Sequence, residues 1–370
     1  MMNLAYVGLP CQIEGLRKAD AISKEMKQDW MKNVGIQIGL FCRENWSYSC
    51  FRALLQDDYE VDLAKVKKFD IKKKHIIAHL GNGDTFEFPL EESRPYVRIG
   101  CGVCLDFSAE LSDISVGAVG SPMKWSTVIA RTKKGLELLE GAEKAGYIEA
   151  KPIEEVKPGV KIIKRLSKDK LDDAMSEIEK REEIGVKVPH LTTQDAAIEK
   201  LKKKDERGTF KDLDFEIIDN GLCSACGICE SVCPVNAIKV IDERPTLVGT
   251  CEGNGMCYYS CPRNHLPLKE LKKMTFDNGT EYEEGVGHYL AIKAVRATDP
   301  EILEKGQDGG AVTALLSYAL DEKLVDGAVS VKAGDDPWRP MPLLSRNKKE
   351  LMEGSGTYYS YSTTMSIVKE

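Results

Sequence analysis

Of the twelve cysteines in this 370-residue chain, eleven fall into two sets whose spacing suits metal chemistry. The denser set opens as Cys223-x2-Cys226-x2-Cys229-x3-Cys233-Pro234 and continues as Cys251-x2-Asn254-x2-Cys257-x3-Cys261-Pro262. A run with this spacing wraps three thiolates round one iron–sulfur cubane and sends the fourth to a neighbouring cluster. The crossed arrangement assigns Cys223, Cys226, Cys229 and Cys261 to one [4Fe–4S] cluster and leaves Cys233, Cys251 and Cys257 for another. Zinc has no need of a doubled, proline-ended spacing. Asn254 stands where a fourth cysteine is expected, and its neutral amide is a much poorer iron ligand than a thiolate. Three thiolates suit a [3Fe–4S] cluster, or a [4Fe–4S] cluster with a labile corner closed by water or another side chain. Loss of this cluster is the third outcome.

Cys11, Cys42, Cys101 and Cys104 make the second set. Cys11 and Cys42 each follow an expected strand, at the sheet edge where open α/β folds build their sites, and Cys101-Gly-Val-Cys104 adds a C-x2-C pair. Spacing alone leaves two readings open: a four-thiolate site drawn from three loops, or scattered buried cysteines. Cys50 stands apart and reads as a small packed side chain. A third feature is Gly306-Gln307-Asp308-Gly309-Gly310, which opens a helix with an apolar stripe at Val312, Leu315, Leu316, Ala319 and Leu320. Asp308 is the expected N-cap, and the glycines permit a phosphate at the helix N-terminus. A plain turn explains the same residues. None of the five histidines forms a Ser/His/Asp arrangement, and His265, beside the cassette, reads as a surface residue.

The elements that must position these groups alternate in type. Residues 1–166 read as α/β, with strands at Leu4–Val7, Val34–Leu40, Trp125–Arg131 and Tyr147–Lys151 and a helix over Lys133–Ala145; the alternation favours a mostly parallel sheet. A lysine- and glutamate-rich stretch, 167–214, reads as a solvated helical linker. The cassette occupies 215–284 as a small α+β ferredoxin-like domain, and 285–370 returns to α/β. Charge runs such as Lys72 to Lys74 and Lys202 to Lys204 read as solvated faces. With a net charge of −7 the chain lacks the basic surface of a nonspecific nucleic-acid binder. No apolar run reaches membrane-spanning length and no secretory leader is evident, so a cytoplasmic location is expected.

Together these pieces resemble the coenzyme F420 hydrogenase/dehydrogenase beta-subunit family, flavoproteins that exchange hydride with the deazaflavin coenzyme F420. The similarity is carried by "VGLPCQIEGLRK", "IGLFCRENWSY", "GCGVCLDFSAELSDISVGAVGSP" and "WSTVIARTKKG", and in the last segment by "GQDGGAVTALLSYALDEKLVDGAVSV" and "GSGTYYSYSTTMSIVKE". The resemblance implies FAD and one [4Fe–4S] cluster on Cys11, Cys42, Cys101 and Cys104. It implies flavin contacts from Gly306, Gln307, Asp308, Gly309, Gly310 and Thr313, and from the Ser355-Gly356-Thr357-Tyr358 turn. It further implies coenzyme F420 as substrate, a place in the electron transport of methanogenesis, and partner subunits of a hydrogenase, formate dehydrogenase or heterodisulfide reductase type.

Two departures accompany the likeness. Gly120-Ser121-Pro122-Met123-Lys124-Trp125 lacks the family's Asp-Gly pair after the proline. The order is also inverted: the family's C-terminal part comes first, its N-terminal part last, with the ferredoxin-like module between. Either this is one circularly permuted domain, with Glu370 continuing in the family's order into Met2, or a slice through a tandem or interrupted gene. The leading expectation is an F420-dependent oxidoreductase subunit passing electrons through FAD to the clusters; the rivals are a ferredoxin-type adaptor without a working flavin site and a gene fragment.

Overall fold

The computed structural model describes residues 2–26, 33–189, 199–203, 205, 207–277 and 279–369. Expectations touching Lys204, Glu370 and part of the charged stretch lie outside those residues. An eight-stranded sheet forms the body of the molecule. Across it run Pro340–Ser345, Gly327–Ala333, Leu4–Gly8, Val34–Leu40, Ile114–Gly117, Ser126–Ala130, Ala291–Ala297 and Ile148–Pro152.

The sheet is mixed rather than mostly parallel. Strands 327–333, 4–8, 34–40 and 114–117 run parallel, whereas every pairing outside this block is antiparallel. The reason lies in the 118–125 loop, which carries no crossover helix; a chain leaving Gly117 without one must turn back on itself.

Strands from the two ends of the chain interleave. Ala291–Ala297 lies between Ser126–Ala130 and Ile148–Pro152, with Val295 opposite both Ser126 and Ala150. Gly327–Ala333 lies beside Leu4–Gly8, Ala328 opposite Ala5. One core follows: Ile38, Val128 and Leu138 pack with Val295, Leu315 and Ala328, each large side chain contributing roughly 1.5–3 kcal/mol by burial. Arg131 ties the two ends further. Its fully buried guanidinium donates to Ser115 Oγ, to both oxygens of Ser108, and to the carbonyls of Val286 and His288.

A three-stranded antiparallel sheet (Val66–Lys72, His75–Leu80, Thr85–Pro89) packs separately around Trp46, Phe51, Phe69 and Phe88. Its first hairpin turns at Lys73 and Lys74, both left-handed (φ 49° and 66°), so these lysines are exposed while Lys72 reaches back to Asp70. The helix Val160–Glu183 passes without a break through residue 166. It is not wholly solvated: Lys170, Ala174 and Arg181 are buried. Among the described residues no helix is long and apolar enough to cross a membrane.

Candidate functional site

Four parallel strands deliver their carboxyl ends to one edge, and the candidate residues collect there. Cys11 starts the helix Pro10–Glu25 directly after the Leu4–Gly8 strand. Cys42 follows Val34–Leu40, its N–H bonded to Phe107 O at 2.9 Å, which brings in the loop holding Cys101 and Cys104. Burial pushes the Cys11 thiol up to about 12; the Cys104 and Cys101 sulfurs add to the shift and Arg263 opposes it. Cys42 is likewise raised, by burial and then by Cys101, Cys11 and Cys104, with Lys170 opposing. The four sulfurs therefore lie within one another's electrostatic reach, Cys11 and Cys104 buried and Cys42 and Cys101 half-buried. Lys170 closes this group from the Val160–Glu183 helix, donating to Cys42 O at 2.6 Å and Asp106 O at 2.7 Å.

The cassette packs against this site. Gly15 of the Cys11 helix would carry a Cβ 3.3 Å from Ile228 Cβ, and Gly100 one 2.3 Å from Leu222 O. At both points a side chain would hold the two cysteine sets apart. Arg263 bridges them, buried, with Nη1 3.4 Å from Glu14 Oε2 and Cys104 as a further partner. Burial and then Cys11 and Cys261 push Cys226 well up, so the sets face each other through Cys11 and Cys226. His265 is buried rather than exposed, packed against Lys18, whose ammonium also reaches Cys261 O at 2.5 Å. Cys50 is exposed rather than packed.

Within the cassette the sulfurs lie in one another's fields, across both halves of the motif. Cys229 is raised by burial and then by Cys226, Cys223, Cys257 and Cys261; Cys257 is raised to about 12 by burial and then by Cys251 and Cys233. A small open pocket is lined in part by Cys233, Cys251, Cys257 and Asn254. The two halves share one backbone path. Ala225 and Gly227 (φ 57° and 78°) correspond to Gly253 and Gly255 (φ 65° and 77°). The Ala225 N–H points at Cys223 Sγ (3.3 Å) as the Gly253 N–H points at Cys251 Sγ (3.4 Å). The Met256 N–H donates to Asn254 Oδ1 at 3.0 Å, as that of Ile228 donates to the Cys226 sulfur. Asn254 thus occupies the Cys226 position with its oxygen where the sulfur would be.

Orphaned buried hydroxyls, those of Ser224, Ser231, Ser260 and Tyr361, concentrate beside these cysteines. That polarity, with a thiolate-only donor set, fits iron–sulfur clusters. Among the described residues no three His, Cys, Asp or Glu close round a single ion; a cluster, several atoms across, asks for a wider ring of sulfurs.

The glycine-rich loop lies at the same edge, held by Gly309 N–H to Ser126 Oγ (3.2 Å) and Ala297 N–H to Gly309 O (2.8 Å). The N-cap of the Ala311–Asp321 helix is Gly310 in the left-handed region, not Asp308; Asp308 itself takes φ 51°, which removes it from capping geometry. Thr313 Oγ1 lies 3.5 Å from Ser355 Oγ, so the helix meets the Ser355–Tyr358 turn. Gln307 donates to Asp70 Oδ1 at 2.8 Å, linking this loop to the three-stranded sheet. Burial would raise the Asp70 carboxyl, but hydrogen bonds from Lys72, Gln307 and His79 and the charge of Lys68 hold it at about 2. Sequence reasoning missed Lys170, Arg263, Lys18 and Asp70; Lys170 and Asp70 sit in charged stretches that read as solvated, and nothing local sets Lys18 or Arg263 apart.

Comparison with known proteins points to one family. Two family models described as "Coenzyme F420 hydrogenase/dehydrogenase, beta subunit" match the chain, the C-terminal model over residues 1–156 and the N-terminal model over 292–369. The chain belongs to the coenzyme F420 hydrogenase/dehydrogenase beta-subunit family. The two matches stand in inverted order, and between them a "4Fe-4S binding domain" model matches 216–239, the half holding Cys223, Cys226, Cys229 and Cys233. Family relatives include the coenzyme F420 hydrogenase subunit beta of Methanosarcina barkeri, 39% identical over 50% of this chain and 63% of its own length. That of Methanothermobacter thermautotrophicus is 37% identical over 51% and 66%. A coenzyme F420-dependent sulfite reductase of Methanocaldococcus jannaschii is 37% identical over 52% of this chain and 30% of its own. The chain spans less than two thirds of the length of these curated relatives.

Proposed function

We propose that this chain is an iron–sulfur flavoprotein subunit that passes electrons between coenzyme F420 and one-electron acceptors. The observation carrying the reading is the succession of three cysteine groups: Cys11, Cys42, Cys101 and Cys104; then Cys223, Cys226, Cys229 and Cys261; then Cys233, Cys251 and Cys257, ending at exposed Cys251. When bound, FAD converts a hydride into single electrons and iron–sulfur clusters carry them. The chain supplies order and dryness: the first two groups are buried or half-buried, and the third reaches solvent at Cys251, where an outside carrier can approach. Lys170, Lys18 and Arg263 set buried positive charge beside anionic clusters. The third group, with Asn254 in place of a thiolate, would hold a [3Fe–4S] cluster or a [4Fe–4S] cluster with one labile corner.

Gly306, Gln307, Asp308, Gly309, Gly310, Thr313 and Ser355 to Tyr358 are proposed to hold the flavin, because they gather at the edge that holds Cys11 and Cys42. Gly356 (φ 117°) faces open space, as a residue beneath a ligand would. Gly306 and Gly309 are explained by their own neighbours, since a Cβ would meet Ile302 O at 2.6 Å and Val295 O at 2.5 Å; this favours, as second reading, an electron-transfer adaptor without flavin. The interleaved strands support one permuted domain, residues 1–166 with 285–370, rather than two half-domains awaiting partners, because a half would leave bare strand edges. Partner subunits of hydrogenase or formate dehydrogenase type belong to the same proposal. The test is the anaerobically reconstituted full chain. Bound FAD, and dye reduction by reduced F420, are expected; clusters without flavin even after FAD is added would leave only the adaptor.

A further inference from the structure

The C-terminal stretch binds the cassette as well as the sheet. Met365 and Val368 pack into one core with Ile228, and Lys369 donates to Asn236 Oδ1 at 2.6 Å. Tyr361 belongs to this stretch and is 6% exposed. Its hydroxyl is buried and has no hydrogen-bond partner. A Cβ built on Gly227 would lie 2.7 Å from that oxygen, so the phenol rests on the Cys226-Gly227-Ile228-Cys229 turn. Cys226, Tyr6, Cys11 and Cys229 are the groups whose fields reach it. A phenol carries its proton at neutral pH, so Tyr361 is an O–H donor at the junction of the first two cysteine groups. The neighbouring phenol makes the contrast: Tyr6 Oη is satisfied by Thr364 Oγ1 at 2.8 Å. A buried hydroxyl left without a partner loses its hydration for nothing, and the sulfurs of Cys226, Cys11 and Cys229 are among the acceptors around Tyr361.

We propose that Tyr361 donates its hydroxyl proton in a hydrogen bond to a sulfur of the cluster held by Cys223, Cys226, Cys229 and Cys261, and thereby raises that cluster's reduction potential. This rests on the reading that those four cysteines hold a [4Fe–4S] cluster. Hydrogen bonds to cluster sulfurs are one of the recognised determinants of potential; a donor stabilises the more negative, reduced form more than the oxidised one. Tyr361 acts through the cluster's charge and is a positioning residue.

The test uses the full chain, reconstituted anaerobically with iron and sulfide. Iron content and electron paramagnetic resonance of the parent come first: without a four-iron signal from this site the underlying reading fails, and the proposal with it. With the cluster present, Tyr361→Phe keeps the ring and removes only the donor. At a fixed ambient potential the ratio of reduced to oxidised cluster is expected to fall by up to about tenfold, equivalent to about 59 mV for one electron. Resonance Raman Fe–S stretches should shift in D2O for the parent and not for the variant. A role in packing alone would move neither readout. Tyr361→Phe with full iron content, the parent's potential and the parent's isotope response would overturn the proposal. If that variant fails to load, 3-fluorotyrosine at position 361 serves instead: the more acidic phenol must raise the potential, and an unchanged value refutes the hydrogen bond.

Discussion

Replacing Arg131 by methionine should remove the strongest polar link between the two ends of the chain. Its guanidinium is 0% exposed and reaches Ser115 Oγ at 2.5 Å, Ser108 Oγ at 2.8 Å, Val286 O at 3.0 Å and His288 O at 2.7 Å. Each bond from a charged donor is worth about 1.5–3 kcal/mol, but their sum overstates the loss because the guanidinium was itself costly to desolvate. Removing one partner of a buried charged network costs about 3–5 kcal/mol, and here Glu110 and Asp106 would lose the field of a nearby cation. We expect a loss of about 4 kcal/mol, a large share of a total stability of about 5–15 kcal/mol. With a urea slope of about 3 kcal/mol/M, the midpoint should fall by about 1.3 M. Tryptophan fluorescence and far-ultraviolet circular dichroism, followed at equal iron content, should fall together. Arg131→Lys, which keeps the charge but reaches fewer acceptors, should lie between. A loss under about 1 kcal/mol, or two separate transitions, would refute the argument that both ends form one cooperative sheet.

Asp70 should make the fold acid-sensitive in a defined window. Its folded pKa, about 2, lies below the ordinary ~3.9 of an aspartate, so its stabilisation is full above about pH 4. On the order of 2 kcal/mol should be lost as pH falls toward 2, and Asp70→Asn should abolish that part of the slope in urea titrations. With a [3Fe–4S] cluster in the third group, Asn254→Cys should add one iron per chain and convert a signal seen in the oxidised protein to one seen only after reduction; unchanged iron would rule out the three-iron form and leave the [4Fe–4S] cluster with a labile corner. In Gly100→Ala the new methyl meets backbone at Leu222 O and Cys223 O. Overpacking of this kind costs about 1–3 kcal/mol, and rapid-freeze spectroscopy should show slower electron exchange between the Cys101 and Cys223 groups.

Local patterns made much of this legible. Val34–Leu40 reads as a strand because apolar residues continue through a segment covered on both sides, and the cassette declares itself because ligand spacing is short-range. What failed to read was set by distant partners. The reversal after Gly117 has no signature beyond the lack of a helix, and the 66–89 sheet turns on two lysines at positions where asparagine or glycine would be the signal. His265 looks like a surface residue until Lys18, far away in the chain, is placed against it. Lys170 sits in a stretch whose composition says solvent, yet one face of that helix covers the Cys42 loop. Asp308 has a capping side chain, but its own backbone is left-handed, so the following glycines take over.

The interleaved sheet also has a bearing on synthesis. Ala291–Ala297 must enter between strands that leave the ribosome long before it, so Ser126–Ala130 and Ile148–Pro152 emerge with open edges and wait for it. Contacts so distant in sequence form slowly, and exposed strand edges in that interval invite wrong partners. During the same interval all eleven proposed ligand cysteines have already emerged, ahead of the residues that close over them. Metal delivery and the arrival of the final strands would then compete, and cells starved of iron at that moment should accumulate the chain in aggregates rather than as a folded, cluster-free protein.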